Sequence, residues 1–211
     1  MTYGQIQAQI LKLLNRYSMA GKLIPGSYNN QQDYLSRIPG LVNDAMLEIA
    51  TTTGKIPAVM DLDTLEWEAM GALRRYTLPE DFFQFRSGDS LLRTAGGTVL
   101  HTNRYTLQGR SYLLVPPAEL DRGGHCELGY YRYPVLLEER PEADTELDNT
   151  PETHEAAAFY AAAFLALHDD SYVFARLYDK YEDKLQKLGP GRSAEVRSVE
   201  GVWGNYGIYE V

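Results

Sequence analysis

Residues 150–185 read TPETHEAAAFYAAAFLALHDDSYVFARLYDKYEDKL, and this stretch decides the fold class. Thr150 stands where an N-cap belongs, and Pro151 occupies the first helical position, where its missing N–H costs nothing. Glu152 and Glu155 follow at the positive end of the helix dipole. Ala156, Phe159, Tyr160, Ala163, Phe164 and Leu167 then recur at helical spacing, and the alanines let another helix come close. Asp169–Asp170 stops this helix and caps a second one. Its stripe is Tyr172, Val173, Leu177, Tyr178, Tyr181, Leu185 and Leu188, with Lys184 and Lys187 in the last turn. Two antiparallel helices joined by an acidic corner form an αα-hairpin. Gly189–Pro190–Gly191 marks its end.

Two further helical patterns lie at the other end of the chain. From Ile6 to Met19, the residues Ile6, Ile10, Leu13, Leu14 and Tyr17 share one stripe, which Gly21 and Pro25–Gly26 terminate. After a polar entry, Tyr34, Leu35, Ile38, Leu41, Val42, Ala45, Met46 and Ile49 make a second stripe. Pro39 sits inside it, so the pattern predicts a short first turn, a break, and a main helix with Pro39 near its start. Gly54 and Pro57 close the element.

Between these helical ends, from about Val59, the period falls to two. RRYTLPEDFFQF reads as a strand turning a corner at Leu78–Pro79–Glu80–Asp81–Phe82. TVLHTNRYTLQGRSYLLVPP gives short runs separated by turns at Asn103 and Gln108–Gly109, and Ala95–Gly96–Gly97 marks another reversal. HCELGYYRYPVLL is the strongest strand pattern. Four to six antiparallel strands follow, in a small sandwich or curled sheet. The fold class is therefore α+β. N-terminal helices (1–58) and the C-terminal hairpin (150–188) make a helical body, an antiparallel β region (59–149) is inserted, and 189–211 form an extended arm.

Composition narrows the function. The 211 residues include one cysteine, Cys126, which excludes an internal disulfide framework and fits a reducing compartment. No apolar run approaches the roughly 20 residues that cross a bilayer. MTYGQIQAQILKLLNRYS lacks the features of a signal peptide, so the expectation is a soluble intracellular protein, at least when made. The net charge of −9 is spread as +2 over residues 1–60, −7 over 61–150 and −4 over 151–211. Tight binding to a phosphate backbone needs clustered Lys and Arg, and no such stripe occurs. Sixteen Tyr against six Phe is unusual. Tyr suits surfaces that are wet in one state and buried in another, and it also suits half-exposed strands.

Catalytic patterns are missing. His101, His125, His154 and His168 contain no i, i+4 pair, and one cysteine supplies no thiolate cluster. His125 and Cys126 are adjacent, so on a strand they point to opposite faces. His154 and His168 read as solvated residues on polar helix edges. Gly96–Gly97 and Gly123–Gly124 lie between strand patterns and read as turns. The acidic run Glu138, Glu139, Glu142, Asp144, Glu146 and Asp148, opposed within it by Arg140 alone, lacks the spacing of a calcium loop and reads as a solvated loop. Neither an enzymatic reaction, a metal nor a cofactor is expected.

The last residues, EVRSVEGVWGNYGIYEV, repeat with period three: Val196, Val199, Val202; Trp203, Tyr206, Tyr209; Gly201, Gly204, Gly207. Such a repeat suits an extended arm laid in a groove, whereas a plain spacer would be polar and Gly/Ser-rich. Docking on another protein and folding back on its own body both remain open for Val199, Val202, Trp203, Tyr206, Ile208 and Tyr209.

The order of elements resembles the head–tail adaptor (connector) proteins of tailed bacteriophages, of the tail-tubular or head-completion type. The resemblance spans residues 1–188. It rests on DYLSRIPGLVNDAMLEIA, on Y-x-L-P-x-D-F at Tyr76, Leu78, Pro79, Asp81 and Phe82, and on the alanine-rich helix with its Asp–Asp corner and Tyr-rich partner. It implies a structural virion protein located in the neck. It also implies a twelve-subunit ring packed through helices carrying Phe159, Tyr160, Phe164, Tyr172, Tyr178 and Tyr181. Its implied partners are the portal protein, reached by the C-terminal extension, and a downstream neck or tail protein. Double-stranded DNA would pass through an acidic channel without specific binding. The alternative is a non-catalytic β-sandwich module that recognises a peptide or glycan.

Overall fold

Thr2 and Gln5 start the first helix together. The Thr2 hydroxyl accepts from the Gln5 backbone N–H at 3.4 Å, and the Thr2 N–H donates to the Gln5 side chain at 3.0 Å. This reciprocal cap opens α1 at Tyr3, three residues earlier than the apolar stripe predicts, and α1 runs Tyr3–Leu13. In this computed structural model the described residues are 1–14, 28–53, 55–86, 91–93, 99–101, 104–120, 126–167 and 169–188. Tyr17 and the terminators Gly21 and Pro25–Gly26 lie outside them.

The second helix, α2, runs unbroken through Tyr28–Thr52 with Pro39 inside it, so the predicted break is absent. A mid-helix proline removes one backbone bond and costs about 3 kcal/mol. Here a single apolar stripe continues on both sides of it. Tyr34 and Ile38 before Pro39, and Val42, Ala45, Met46 and Ile49 after it, are all buried. Burying side chains of this size contributes roughly 1.5–3 kcal/mol each, which outweighs the lost bond. Pro57 does not close the helix either. The chain enters β1 (Ile56–Asp61) earlier than Val59, with Pro57 on an edge strand, where a missing N–H is tolerated.

The β region contains more strands than the predicted four to six. After β1 come β2 (Trp67–Met70), β3 (Leu73–Thr77), β4 (Phe82–Phe85), β5 (Leu91–Arg93), β6 (Val99–His101), β7 (Thr106–Gln108), β8 (Tyr112–Val115), the short helix α3 (Pro117–Leu120) and β9 (Glu127–Arg132). All pairings are antiparallel. They form one sheet in the order β1-β9-β4, one in the order β2-β3-β8-β7, and the ribbon β5-β6. Splitting the region into small sheets is why single strands read weakly in sequence; most are three or four residues long.

The corner at residues 78–81 joins the two larger sheets, because β3 belongs to one and β4 to the other. The Phe82 N–H closes it on the Pro79 carbonyl at 3.0 Å, and the Leu78 N–H reaches Ser111 O at 2.8 Å. Asp81 accepts from the Tyr130 hydroxyl at 3.0 Å. Tyr76, Leu78 and Phe82 are buried beside Leu113, Val115, Leu128 and Tyr130 in the core of the β region. The Gln108–Gly109 turn is also as predicted, with Gly109 at φ 65°, a conformation that favours glycine.

The helical core is separate. Residues 151–153 form one 3₁₀ turn with Pro151 at its start, although the Thr150 side chain caps nothing. α4 (His154–Ala166) then continues, and α5 (Ser171–Lys187) returns antiparallel to it. The Asp170 carboxylate caps α5 by accepting from Tyr172 N–H and Val173 N–H at 2.9 and 3.1 Å. At the other end of the pair Lys184 meets Glu155 at 2.6 Å. α4 is not striped as predicted. Ala156, Ala157, Ala158, Ala161, Ala162, Ala163, Leu165 and Ala166 are all buried, because α1, α2 and α5 pack around it. An alanine helix can be surrounded in this way, since its radius is small and close neighbours leave no voids.

Candidate functional site

Within the acidic run Asp148 alone departs from the solvated reading, while Glu146 stays exposed. Glu138, Glu139, Glu142 and Asp144 are exposed. However, the backbone there is latched to the N-terminus: Gly4 N–H donates to Ala143 O and Tyr3 N–H to Thr145 O, both at 2.8 Å, and Leu147 N–H to Met1 O at 3.1 Å. Glu146 forms an antiparallel bridge with Thr2. Asp148 is ion-paired with Arg132 of β9 and also accepts from Val135 N–H at 2.7 Å. The hydrogen bonds from Arg132 hold its carboxyl below the usual range. This run is partly a structural strap.

The described histidine and cysteine side chains are those of His154 and Cys126. His154 is buried, contrary to the solvated reading, and its Nε2 lies 3.0 Å from Asn149 O. Burial, aided by the positive N-terminal amine, pulls its pKa down. Cys126 is buried too; burial, with Asp63 and Asp61 nearby, pushes its thiol up, away from nucleophilic character. Among the described residues no three His, Cys, Asp or Glu side chains gather to hold a metal ion. His125, His168, Gly96–Gly97 and Gly123–Gly124 lie outside the described residues, and so do the arm residues Val199, Val202, Trp203, Tyr206, Ile208 and Tyr209.

Of the hairpin aromatics, Tyr181 is in the chain's own core, and its hydroxyl donates to Glu48 at 2.8 Å. Tyr160, Phe164, Phe174, Tyr178 and Tyr181 form one cluster of rings at 4.5–6.1 Å. Phe159 is half-buried, and Tyr172 stands out at 69% exposure with Arg176 over its ring. A groove of about 790 Å³ runs beside α5, with Leu13, Phe159, Val173 and Leu177 among its lining residues.

Sequence reading missed the apolar edges of the β region. Trp67 and Met70 on β2, Leu107 on β7 and Val59 on β1 are all exposed, as are Val135 and Leu136 after β9. Arg74 lies over the Trp67 ring at 4.8 Å, while Arg75 pairs with Glu68 and covers Tyr112 at 4.5 Å. Trp67 was visible in sequence as one of two tryptophans, but only the sheet order makes it an edge residue.

Exposed apolar side chains at the margins of a sheet are a feature of surfaces that meet other proteins. No curated protein matches the chain. The family model described as SU10 adaptor protein matches residues 1–201, which takes in the helical body and the β region together. The chain thus belongs to the SU10 adaptor protein family and is a structural adaptor of the phage head–tail type.

Proposed function

We propose that this adaptor forms a ring, of twelve subunits in the reading its family resemblance implies, docks beneath the portal, extends the DNA channel and offers the next neck or tail component its attachment surface. In this reading residues 1–58 and 150–188 are the ring body, with Tyr172 and its neighbours on α5 at the packing face. Residues 59–149 are the tier that meets the next component, and residues 189–211 the arm that reaches the portal.

One observation carries the reading: Trp67, Met70, Leu107 and Val59 stand exposed on the β region and Tyr172 on α5, apolar surface that the chain's own two cores leave uncovered. Surplus apolar surface favours assembly. The net charge of −9 suits a channel wall that passing DNA does not stick to. A ring whose lumen was lined mainly by Lys and Arg would remove that part.

The test is to mix the purified chain with the portal of the phage that encodes it and image the product by negative stain. Rings stacked on the portal are expected. Deleting residues 195–211 should leave the thermal melt in place and abolish docking. A chain that stays monomeric beside its portal, and instead binds a peptide or glycan, would overturn the proposal.

A further inference from the structure

β2 and β7 are the two edges of the four-stranded sheet, and among the described residues no strand pairs with the outer side of either. Every residue of both strands is exposed. An open edge presents a row of unpaired backbone donors and acceptors, and proteins usually blunt it with lysine, proline or a bulge. β2 reads WEAM and β7 reads TLQ, with no lysine or proline in either.

Three features match one edge to the other. The first is direction. Across β2-β3-β8-β7 every neighbour is antiparallel, so β2 and β7 run in opposite senses. Laying β7 of one copy against β2 of the next therefore continues the same alternation. The second is the face. Trp67, Tyr76, Leu113 and Leu107 fall in one row of the sheet by register. Tyr76 and Leu113, in the middle, are buried, whereas Trp67 and Leu107, at its two ends, are exposed. The third is charge. Glu66 precedes β2 and Arg110 follows β7, and both are exposed. Continuing the rows from copy to copy puts Leu107 beside Trp67 of the next copy and Gln108 beside its Glu66. Arg110, two residues further on, comes within reach of that carboxylate.

We propose that the outer edge of β7 pairs with the outer edge of β2 in a second copy of this chain, joining the four-stranded sheets of neighbouring subunits head to tail. Such a contact uses two different patches of one surface, so it propagates and closes into a ring when the rotation allows. Cross-strand apolar pairs and main-chain bonds hold it, and the Arg110–Glu66 contact sets its register. The inference rests on the ring reading above and supplies residues for one subunit boundary.

Within one chain Trp67 and Leu107 are three strand spacings apart, about 14 Å, too far for a disulfide, which needs Cα atoms within about 7 Å. The double variant W67C/L107C can therefore form this link only between copies. With portal present and mild oxidant added, it should run on non-reducing gels as a ladder extending beyond the dimer. The single variants should give no ladder. Rings in negative stain without a ladder would overturn this contact and leave the ring reading standing; absence of rings with absence of a ladder would sink both. As a second measurement, E66R and R110E should each lower ring yield several-fold, and E66R/R110E should restore it, with circular dichroism confirming that each variant folds. Failure of the double swap to restore rings while both singles disperse them would also overturn the pairing.

Discussion

Arg132 and Asp148 meet side by side, with guanidinium-to-carboxylate distances of 2.5 and 2.7 Å, and so tie the central strand β9 to the segment that leads into α4. Their side chains are 21% and 26% exposed, so water screens the pair only partly. Arg132 also donates to Tyr133 O at 3.1 Å. The contact joins the last strand of the β region to the segment that enters the helical body, which is why an aspartate from an acidic run has a structural role.

This pair predicts an acid dependence. Asp148 is held below the usual carboxylate range, so its contribution is complete above the unfolded value near 3.9 and is lost as pH falls through the lower native value. Replacing Asp148→Asn should cost about 1–3 kcal/mol at pH 7 and flatten the acid limb of the stability curve. Urea unfolding from pH 7 to pH 3 checks both effects. An unchanged acid limb would remove the pair from the account.

His154 adds a second pH dependence at higher pH. Burial lowers its pKa, so the native state favours the neutral ring. Stability is then complete above about pH 6.5 and falls with pH until the lowered native value is passed. The variant H154Q, which keeps an amide donor for the Asn149 carbonyl, should lose that slope between pH 7 and 5. Its counterpart is an NMR titration of His154 with a midpoint below 6.5.

Gly4 and Gly40 should respond oppositely to alanine. A Cβ at Gly4 would lie 2.9 Å from Ala143 O, a backbone atom fixed by the N-terminal latch, whereas one at Gly40 meets nothing within 4 Å. Alanine in a helix gains up to about 1 kcal/mol over glycine. G40A should therefore stabilise by roughly 0.5–1 kcal/mol. At Gly4 the clash outweighs that gain, and G4A should lower the melting temperature. A stabilised G4A would show that the latch gives way freely.

Tyr181→Phe removes one hydroxyl from the centre of the helical body. The ring packing stays, but Glu48 loses its 2.8 Å donor. Hydrogen bonds to charged acceptors are worth about 1.5–3 kcal/mol, and Glu48, only half-buried, can recover part of that by turning to water. A loss of about 1 kcal/mol with an unchanged denaturant slope is expected in urea. No loss would mean the hydroxyl is idle.

Much of the local structure was legible because it is set by neighbours in the chain. Asp170 caps α5 as its position before a helical stripe predicts, Gly109 takes the left-handed turn, and residues 78–81 turn the corner. The capping box of Thr2 and Gln5 was equally readable and would have started α1 correctly. The contact surface was not legible. The hairpin stripe did not tell which aromatics the chain keeps, such as the buried Tyr181, from those it exposes, such as Tyr172, and the exposed Trp67 and Leu107 belong to runs too short to read as edges.

The sequence by itself determined the α+β class, the hairpin with its caps, the corner between sheets and the lack of a catalytic pattern. Each depends on residues within a turn or two of one another. Only the tertiary structure decided that α2 passes straight through Pro39, that the alanines of α4 are all buried, that Asp148 is paired and His154 buried, and which strands stand at sheet edges. Those outcomes depend on what packs against each residue, and burial of surface from distant segments outweighs the local preference of about 3 kcal/mol or less that a single residue carries.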